Sequence, residues 1–280
     1  MIWAIKNNER IEATPKETAT CPICNEEVIS KCGVVKKWHW AHKNKEDCDE
    51  WYEPESEWHI YWKNEFPKEQ QEVKIENHRA DIKVKNLVIE LQSSSITPDS
   101  ICDRETFYKN MIWLLNGETL GKGLKINDKT SYFTFSWKNP PQSWFYSDKP
   151  IYIDLNYFVN DLKDSIDDLG IKINIIFNEL KNLVGDPHKF DFYLLESKSY
   201  SESQSKEKIE RKNILNLEKE WTKLSWEFED LKDKKEIFEE NKTILFIKKL
   251  YKKIPCGGWG YLITKEDFLR GYKDGEEKNN

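Results

Sequence analysis

Two places in the sequence gather residue types able to do chemistry. In the first, Cys21-x2-Cys24 is followed by His39-x2-His42 and then Cys48. Two thiolates at this spacing hold one edge of a tetrahedral zinc, because the turn between them aims both sulfurs inward. The other two ligands must come from His39, His42, Cys48 or Cys32. We take Cys21, Cys24, His42 and Cys48 as the set, with His39 in reserve and Trp40 as the plug of a small core. The bland alternative is a chance CxxC beside packing histidines, against which stand six candidate ligands within 28 residues. Four protein ligands leave no open position for water, so such a zinc is structural.

The second place is ADIKVKNLVIELQ, residues 80–92. Apolar residues alternate in both halves (Ala80, Ile82, Val84; Leu87, Ile89, Leu91), which predicts a hairpin turning at Lys85-Asn86. That register sets Val84 against Leu87, Ile82 against Ile89 and Asp81 against Glu90, with Gln92 on the face of Glu90. Carboxylates directly across a strand pair repel. A divalent cation held between Asp81 and Glu90 turns that repulsion into a binding site. Upstream, Glu55, His59 and Lys63 fall at i, i+4 and i+8 and form one helical stripe. Alone such a stripe reads as a solvated face, but beside a carboxylate hairpin it becomes one wall of a metal-dependent site.

These residues need elements to hold them. A hairpin is expected at Met1–Lys6 and Glu9–Ala13, a helix from about Pro54 to Glu65, a second helix from about Pro98 to Asn110, and a buried strand at MIWLL. Further strands are expected at 131–137, 150–155, 171–177 and 190–196. Ser197–Ser205 reads as a linker. Then Ile214, Leu217, Trp221, Leu224, Phe228, Leu231 and Phe238 recur at three- and four-residue spacing, a seam interrupted at Lys235, so residues 206–238 form an amphipathic helix. It packs within the chain, dimerises, or braces a nucleic acid or protein partner. The segment from Ile254 is a glycine turn, a strand and a short helix, and GEEKNN is a frayed tail.

Composition narrows the classes. The chain has 280 residues, 34% of them charged, with 12 Trp, 12 Tyr and 13 Phe, so disorder is excluded. Its net charge of −6 excludes a polycationic coat on nucleic acid but not a local basic groove. The longest run without Asp, Glu, Lys or Arg, Ile254–Thr264, is far short of the roughly 20 residues a membrane span needs. The first residues carry no signal-peptide pattern, and clustered cysteines suit a reducing compartment, so a cytoplasmic protein is expected.

In these motifs the chain resembles the competence protein CoiA-like nucleases over roughly residues 1–116. The resemblance rests on the opening hairpin, CPIC, HWAH, ESEWHIYWK, RADI and IELQSSSI in that order, then Arg104, Tyr108 and Trp113. It implies a PD-(D/E)xK nuclease core of helix, three-stranded hairpin sheet, helix and strand. It also implies metal binding by Asp81 and Glu90, a first-helix acid at Glu55, and Gln92 in the place of the superfamily lysine. Glutamine carries no charge, so Lys63 or Lys83 is expected to supply it, or a metal-bound hydroxide suffices.

The expectation is an α/β protein: a zinc knuckle at 1–50, a PD-(D/E)xK restriction-endonuclease-like domain at 51–196, and a helical C-terminal region at 197–280. Its activity would be Mg²⁺- or Mn²⁺-dependent hydrolysis of DNA phosphodiesters, in DNA uptake, recombination or antiphage defence. The rivals are a nuclease-like nucleic-acid-binding accessory that no longer cuts and a protein-interaction scaffold built on the long helix.

Overall fold

A computed structural model of the chain describes residues 1–273 except 35–37, 44–47, 122, 130, 139–140, 185–204, 237–242 and 252–255. The strand expected at 190–196, the linker but for Ser205, Phe238 of the seam and the tail lie outside the described residues. The chain divides into two compact units, Met1–Tyr157 with Glu240–Asn280, and Phe158–Glu239.

The first unit holds two sheets. The smaller joins β1 (Trp3–Lys6), β2 (Glu9–Glu12), β3 (Thr18–Thr20), β4 (Glu27–Lys31) and β5 (His39–His42) in the order β2-β1-β3-β4-β5, each pair antiparallel. Asn7 and Asn8, both at positive φ, make the expected first turn. Met1, Ala4, Val28 and Trp40 fill the core under this sheet, and Trp40 is the plug expected.

The larger sheet has nine strands: β6 (Gln71–Ile75), β7 (His78–Val84), β8 (Leu87–Gln92), β9 (Met111–Asn116), β10 (Leu124–Asp128), β11 (Phe133–Trp137), β12 (Ile151–Asp154), β13 (Ile244–Tyr251) and β14 (Cys256–Ile263). Their order is β10-β11-β14-β13-β12-β9-β8-β7-β6. β8, β9 and β12 run parallel and the other pairs are antiparallel. The β7–β8 register is the one read from sequence, with Val84 on Leu87 and Ile82 on Ile89, and Lys85 turns the hairpin at φ 52.

Helices α1 (Glu57–Lys63) and α2 (Pro98–Tyr108) flank the hairpin, α3 (Gly117–Leu120) follows β9, and α6 (Lys265–Lys273) ends the unit. α1 is shorter than expected because Ser56 caps it. The Ser56 hydroxyl accepts from the His59 backbone N–H, and His59 Nδ1 accepts from the Ser56 N–H, a reciprocal cap. Trp62 and Phe66 join Ile82, Ile89, Leu91, Leu114 and Phe268 in one core. The indole N–H groups of Trp58 and Trp62 both donate to Asp154 Oδ2 at 2.8 Å, which ties α1 to β12. Because β13 and β14 complete this sheet, the boundary expected at 197 is not where the chain divides.

The second unit corrects a strand. Residues 171–177 belong to α4 (Asn156–Val184), not to a β-strand. Ile171, Ile173 and Ile175 mimic strand alternation, but Ile171 and Ile175 are exposed while Ile166, Leu169, Ile176 and Leu180 are buried at helical spacing. The wider period decides. α5 (Ser205–Glu236) is the expected amphipathic helix and it meets α4 of its own chain. The rings of Phe177 and Trp221 lie 6.4 Å apart, and a Cβ at Gly170 would lie 3.6 Å from Phe228. Rising numbers on one helix meet falling numbers on the other, so the pair is antiparallel. Trp221→Glu should therefore lower the melting temperature of the chain, costing roughly 1–3 kcal/mol as buried-surface lesions do. An unchanged melting curve for that variant would show that the seam does not hold the pair. Among the described residues no helix is long and apolar enough to cross a membrane.

Candidate functional site

The cysteine cluster forms as expected. Ligand atoms of Cys21, Cys24, His42 and Cys48 all lie within 4.8 Å of one another. Cys21 Sγ is 3.7 Å from Cys48 Sγ, and Cys24 Sγ is 3.3 Å from His42 Nε2. A tetrahedral zinc with Zn–S near 2.3 Å and Zn–N near 2.0 Å has edges of about 3.5–3.8 Å, so the donor set fits. Burial, together with Cys21, pushes the Cys48 thiol far above the ordinary thiol range, a cost that a bound cation removes by replacing the protons. His39 is left out for a reason of period. His39–His42 is a strand, so Trp40 and His42 share its buried face while His39 points to the other.

The second cluster sits where α1, β6, β7, β8 and α2 converge. Lys63, at the end of α1, is 2.6 Å from Glu55, 3.0 Å from Asp81 and 3.3 Å from Glu72. Its side chain is 1% exposed, so His59 and Lys63 of the expected stripe face a buried charge cluster and not solvent, while Glu55 reaches Lys63 from before the Ser56 cap. Burial works to lower the Lys63 pKa, but Asp81, Glu55 and Glu72 outweigh it and hold it above the ordinary lysine range. Lys63 is thus a fixed cation and no base. Of the two lysines considered from sequence, Lys63 is the one that lies against Asp81.

Asp81 and Glu90 interlock across the hairpin. The Asp81 N–H donates to Glu90 Oε1 at 3.3 Å, and the Leu91 N–H donates to Asp81 Oδ2 at 3.0 Å. Side-chain oxygens here take over bonds that the ladder would otherwise make. Arg104 of α2 donates to Glu90 Oε2 at 3.1 Å and to the Trp51 carbonyl at 2.9 Å. Burial opposes ionisation of Asp81, yet Lys63 and then His59 hold it below the usual carboxylate range. Burial and the neighbouring Asp81 push Glu90 up to about 7, with Arg104 pulling the other way. Gln92 Nε2 donates to the Ser94 carbonyl at 3.2 Å, while its buried Oε1 has no hydrogen-bond partner.

His59 Nδ1 is occupied by the Ser56 cap, and its Nε2 lies 3.6 Å from Glu53. Burial lowers the His59 pKa, but the Glu53 contact and then Asp81 outweigh it and leave the pKa raised. Glu55, Glu72 and Asp81 thus meet Lys63, Glu90 meets Arg104, and Glu53 meets His59. Asp81, with 22% of its side chain exposed, opens this centre to solvent.

The arrangement predicts a pH effect. A carboxyl raised from 4.5 to about 7 by folding contributes stability that is complete below pH 4.5 and lost as pH rises through about 7. Melts without added divalent cation should show that loss between pH 5 and 8, about 3 kcal/mol at most at 1.36 kcal/mol per unit. Glu90→Gln should flatten the slope. The same slope in both proteins would place the titrating group elsewhere.

Sequence reading missed the residues that join the two centres. Glu72, at φ 46 in β6, accepts from the Ile2 N–H at 2.8 Å and the Trp3 N–H at 3.0 Å while pairing with Lys63. Asp49, next to Cys48, accepts from the Arg79 N–H at 2.8 Å and lies 2.9 Å from His78 Nδ1. Trp51 stacks on His78 with ring centroids 3.4 Å apart. No local spacing marks these contacts, since each depends on how the small sheet seats on β6 and β7.

Residues 3–50 match the family described as Competence protein CoiA, N-terminal domain. Over 103 residues the chain is 31% identical to Competence protein CoiA of Bacillus subtilis (strain 168), a match covering 32% of this chain and 28% of that protein. The alignment therefore spans less than a third of the relative's length. No solved structure matches the chain. With its knuckle inside the family match and its similarity to a CoiA protein, the chain is CoiA-like in its N-terminal part.

Proposed function

We propose that this chain is a metal-dependent nuclease that hydrolyses DNA phosphodiester bonds, with a structural zinc in the knuckle. The observation that carries the reading is the interlocked pair Asp81 and Glu90, with Lys63 3.0 Å from Asp81 and Arg104 3.1 Å from Glu90. The order α1, β6–β7–β8, α2, β9 also supports a PD-(D/E)xK-type core. These two carboxylates would hold a divalent cation, whose chemistry there would be Lewis acidity toward the phosphate and a lowered pKa for the attacking water.

The chain's own groups do the rest. Asp81 and Glu90 would hold the cation, and Lys63 keeps Asp81 ionised. Glu55 and Glu72 hold Lys63 in place. Gln92 Oε1 offers an acceptor for the attacking water, and His59 on Glu53 lines the approach. A Glu90 carboxyl near 7 gives up its proton as pH rises through neutrality, so activity should climb over that range. DNA as the substrate rests on the resemblance of the motifs to the CoiA-like nucleases.

A second reading, a nucleic-acid-binding accessory that does not cut, is favoured by Gln92, which stands uncharged where the resemblance places a lysine. Incubation of the full chain with single- and double-stranded DNA, with Mg²⁺, Mn²⁺ or neither, separates them. Divalent-dependent cleavage supports the nuclease, and binding without cleavage supports the accessory.

A further inference from the structure

The wing of the large sheet remote from the carboxylates, β10-β11-β14-β13, carries a feature with no part in that chemistry. Residues paired directly across strands share a face. Trp259 pairs with Thr134 on one side and Lys249 on the other, Tyr261 pairs with Phe246, and Gly257 pairs with Ser136 and Tyr251. Ser136 and Thr134 pair in turn with Lys125 and Asn127. One face of four antiparallel strands thus presents Lys125, Asn127, Thr134, Ser136, Trp259, Tyr261, Phe246, Lys249 and Tyr251, with no carboxylate among these positions.

The aromatic residues form a row. Trp259 meets Tyr132 at 6.0 Å and Tyr261 at 5.8 Å, both edge to face. Tyr132, Tyr251 and Tyr261 are 38%, 44% and 38% exposed, unusual for rings that could have been buried. Lysine ammonium groups lie over neighbouring rings, Lys248 over Phe246 at 4.5 Å and Lys249 over Tyr251 at 5.5 Å. Glycine makes the platform flat. A Cβ at Gly257 would strike the Phe135 carbonyl and one at Gly260 the Phe246 carbonyl, so β14 lies close to both neighbours. Before Ile263, the β14 side chains raised on this face are Trp259 and Tyr261 alone, about 7 Å apart along the strand.

We infer that this face is a single-stranded nucleic-acid platform, on which bases stack against Trp259, Tyr261 and Tyr132 while Lys125 and Lys249 meet phosphates. Open aromatic rings among lysines on an antiparallel sheet match the chemistry of unpaired bases, whose faces stack on rings and whose backbone attracts ammonium groups. A protein partner would be expected to meet apolar aliphatic side chains there, and the face offers glycine, serine and threonine. DNA and RNA share this chemistry. The site does not depend on hydrolysis, so its test omits divalent cations and stands apart from any cleavage result.

The test is fluorescence anisotropy of labelled 15-nucleotide oligo(dT) and oligo(U), and of a duplex of equal length, titrated with the full chain at several salt concentrations. Wild type should bind a single strand more tightly than duplex, and tighter capture of either oligonucleotide names the preferred source. Tyr261→Ala and Trp259→Ala should each weaken binding about tenfold, within the range for loss of one stacking ring. Lys249→Glu should weaken it and reduce the salt slope by about one. Should Trp259→Ala fail to fold, the exposed positions Tyr261 and Lys249 still decide the matter. Absence of single-strand binding by wild type, or folded Tyr261 and Lys249 variants that bind as wild type does, would overturn the assignment.

Discussion

Asp81→Ala and Glu90→Ala should each reduce divalent-dependent DNA cleavage by on the order of 10³-fold or more while the chain remains folded. The magnitude follows from the role: each residue holds the charge that stabilises the transition state. Neither variant should collapse the fold, since Asp81 sits at the surface of the cluster and its loss frees Lys63 to stay with Glu55 and Glu72. Gln92→Ala should cost less, on the order of 10²-fold, as a group that positions or assists proton transfer does. Gln92→Lys should bring no gain. Lys63 already lies 3.0 Å from Asp81, so a second cation would compete with the metal instead of filling a vacancy. Cleavage measured on a supercoiled plasmid with Mg²⁺ checks the series. If wild type cuts and both alanine variants cut equally well, the site lies elsewhere.

Much of this centre is legible in the sequence because its geometry is local. The β7–β8 hairpin has a two-residue turn, so alternation alone fixes which residues face each other, and the Ile82–Ile89 and Val84–Leu87 pairs follow. His59 and Lys63 are likewise one turn apart on α1, but Glu55 precedes the Ser56 cap and meets Lys63 from outside the helix. What the spacing does not convey is burial, since a stripe of charges looks the same whether it faces water or three carboxylates. Glu72 and Asp49 are illegible for a different reason: their partners Lys63, Trp3, His78 and Arg79 are joined to them by tertiary seating alone. The error at 171–177 is one of window length. Seven residues hold three alternating isoleucines, but only the 29-residue helix shows which of its faces is buried.

Cys24→Ser should have the other large effect, reaching from the knuckle into the carboxylate centre. The prediction is about one zinc per chain in wild type, and loss of most of it in Cys24→Ser, Cys48→Ser and His42→Ala. His39→Ala should retain it, because His39 faces away from the cluster. In small knuckles the metal supplies most of the folding free energy, on the order of 10 kcal/mol in peptide systems, so the five-stranded sheet should loosen. The loosening should not stop there. The Ile2 and Trp3 N–H groups satisfy Glu72, and Asp49 beside Cys48 holds the Arg79 N–H and His78. Without these bonds Glu72 no longer has a fixed geometry against Lys63, and β7, which carries Asp81, loses an anchor. Hydrogen exchange of Cys24→Ser should therefore rise first in residues 1–34 and then in β6 and β7, while β12 and β13 stay protected. Elemental analysis gives the zinc content and exchange gives the reach. Protein purified without chelator that holds no metal would remove the zinc site, and exchange confined to the small sheet would show that the two centres are held independently.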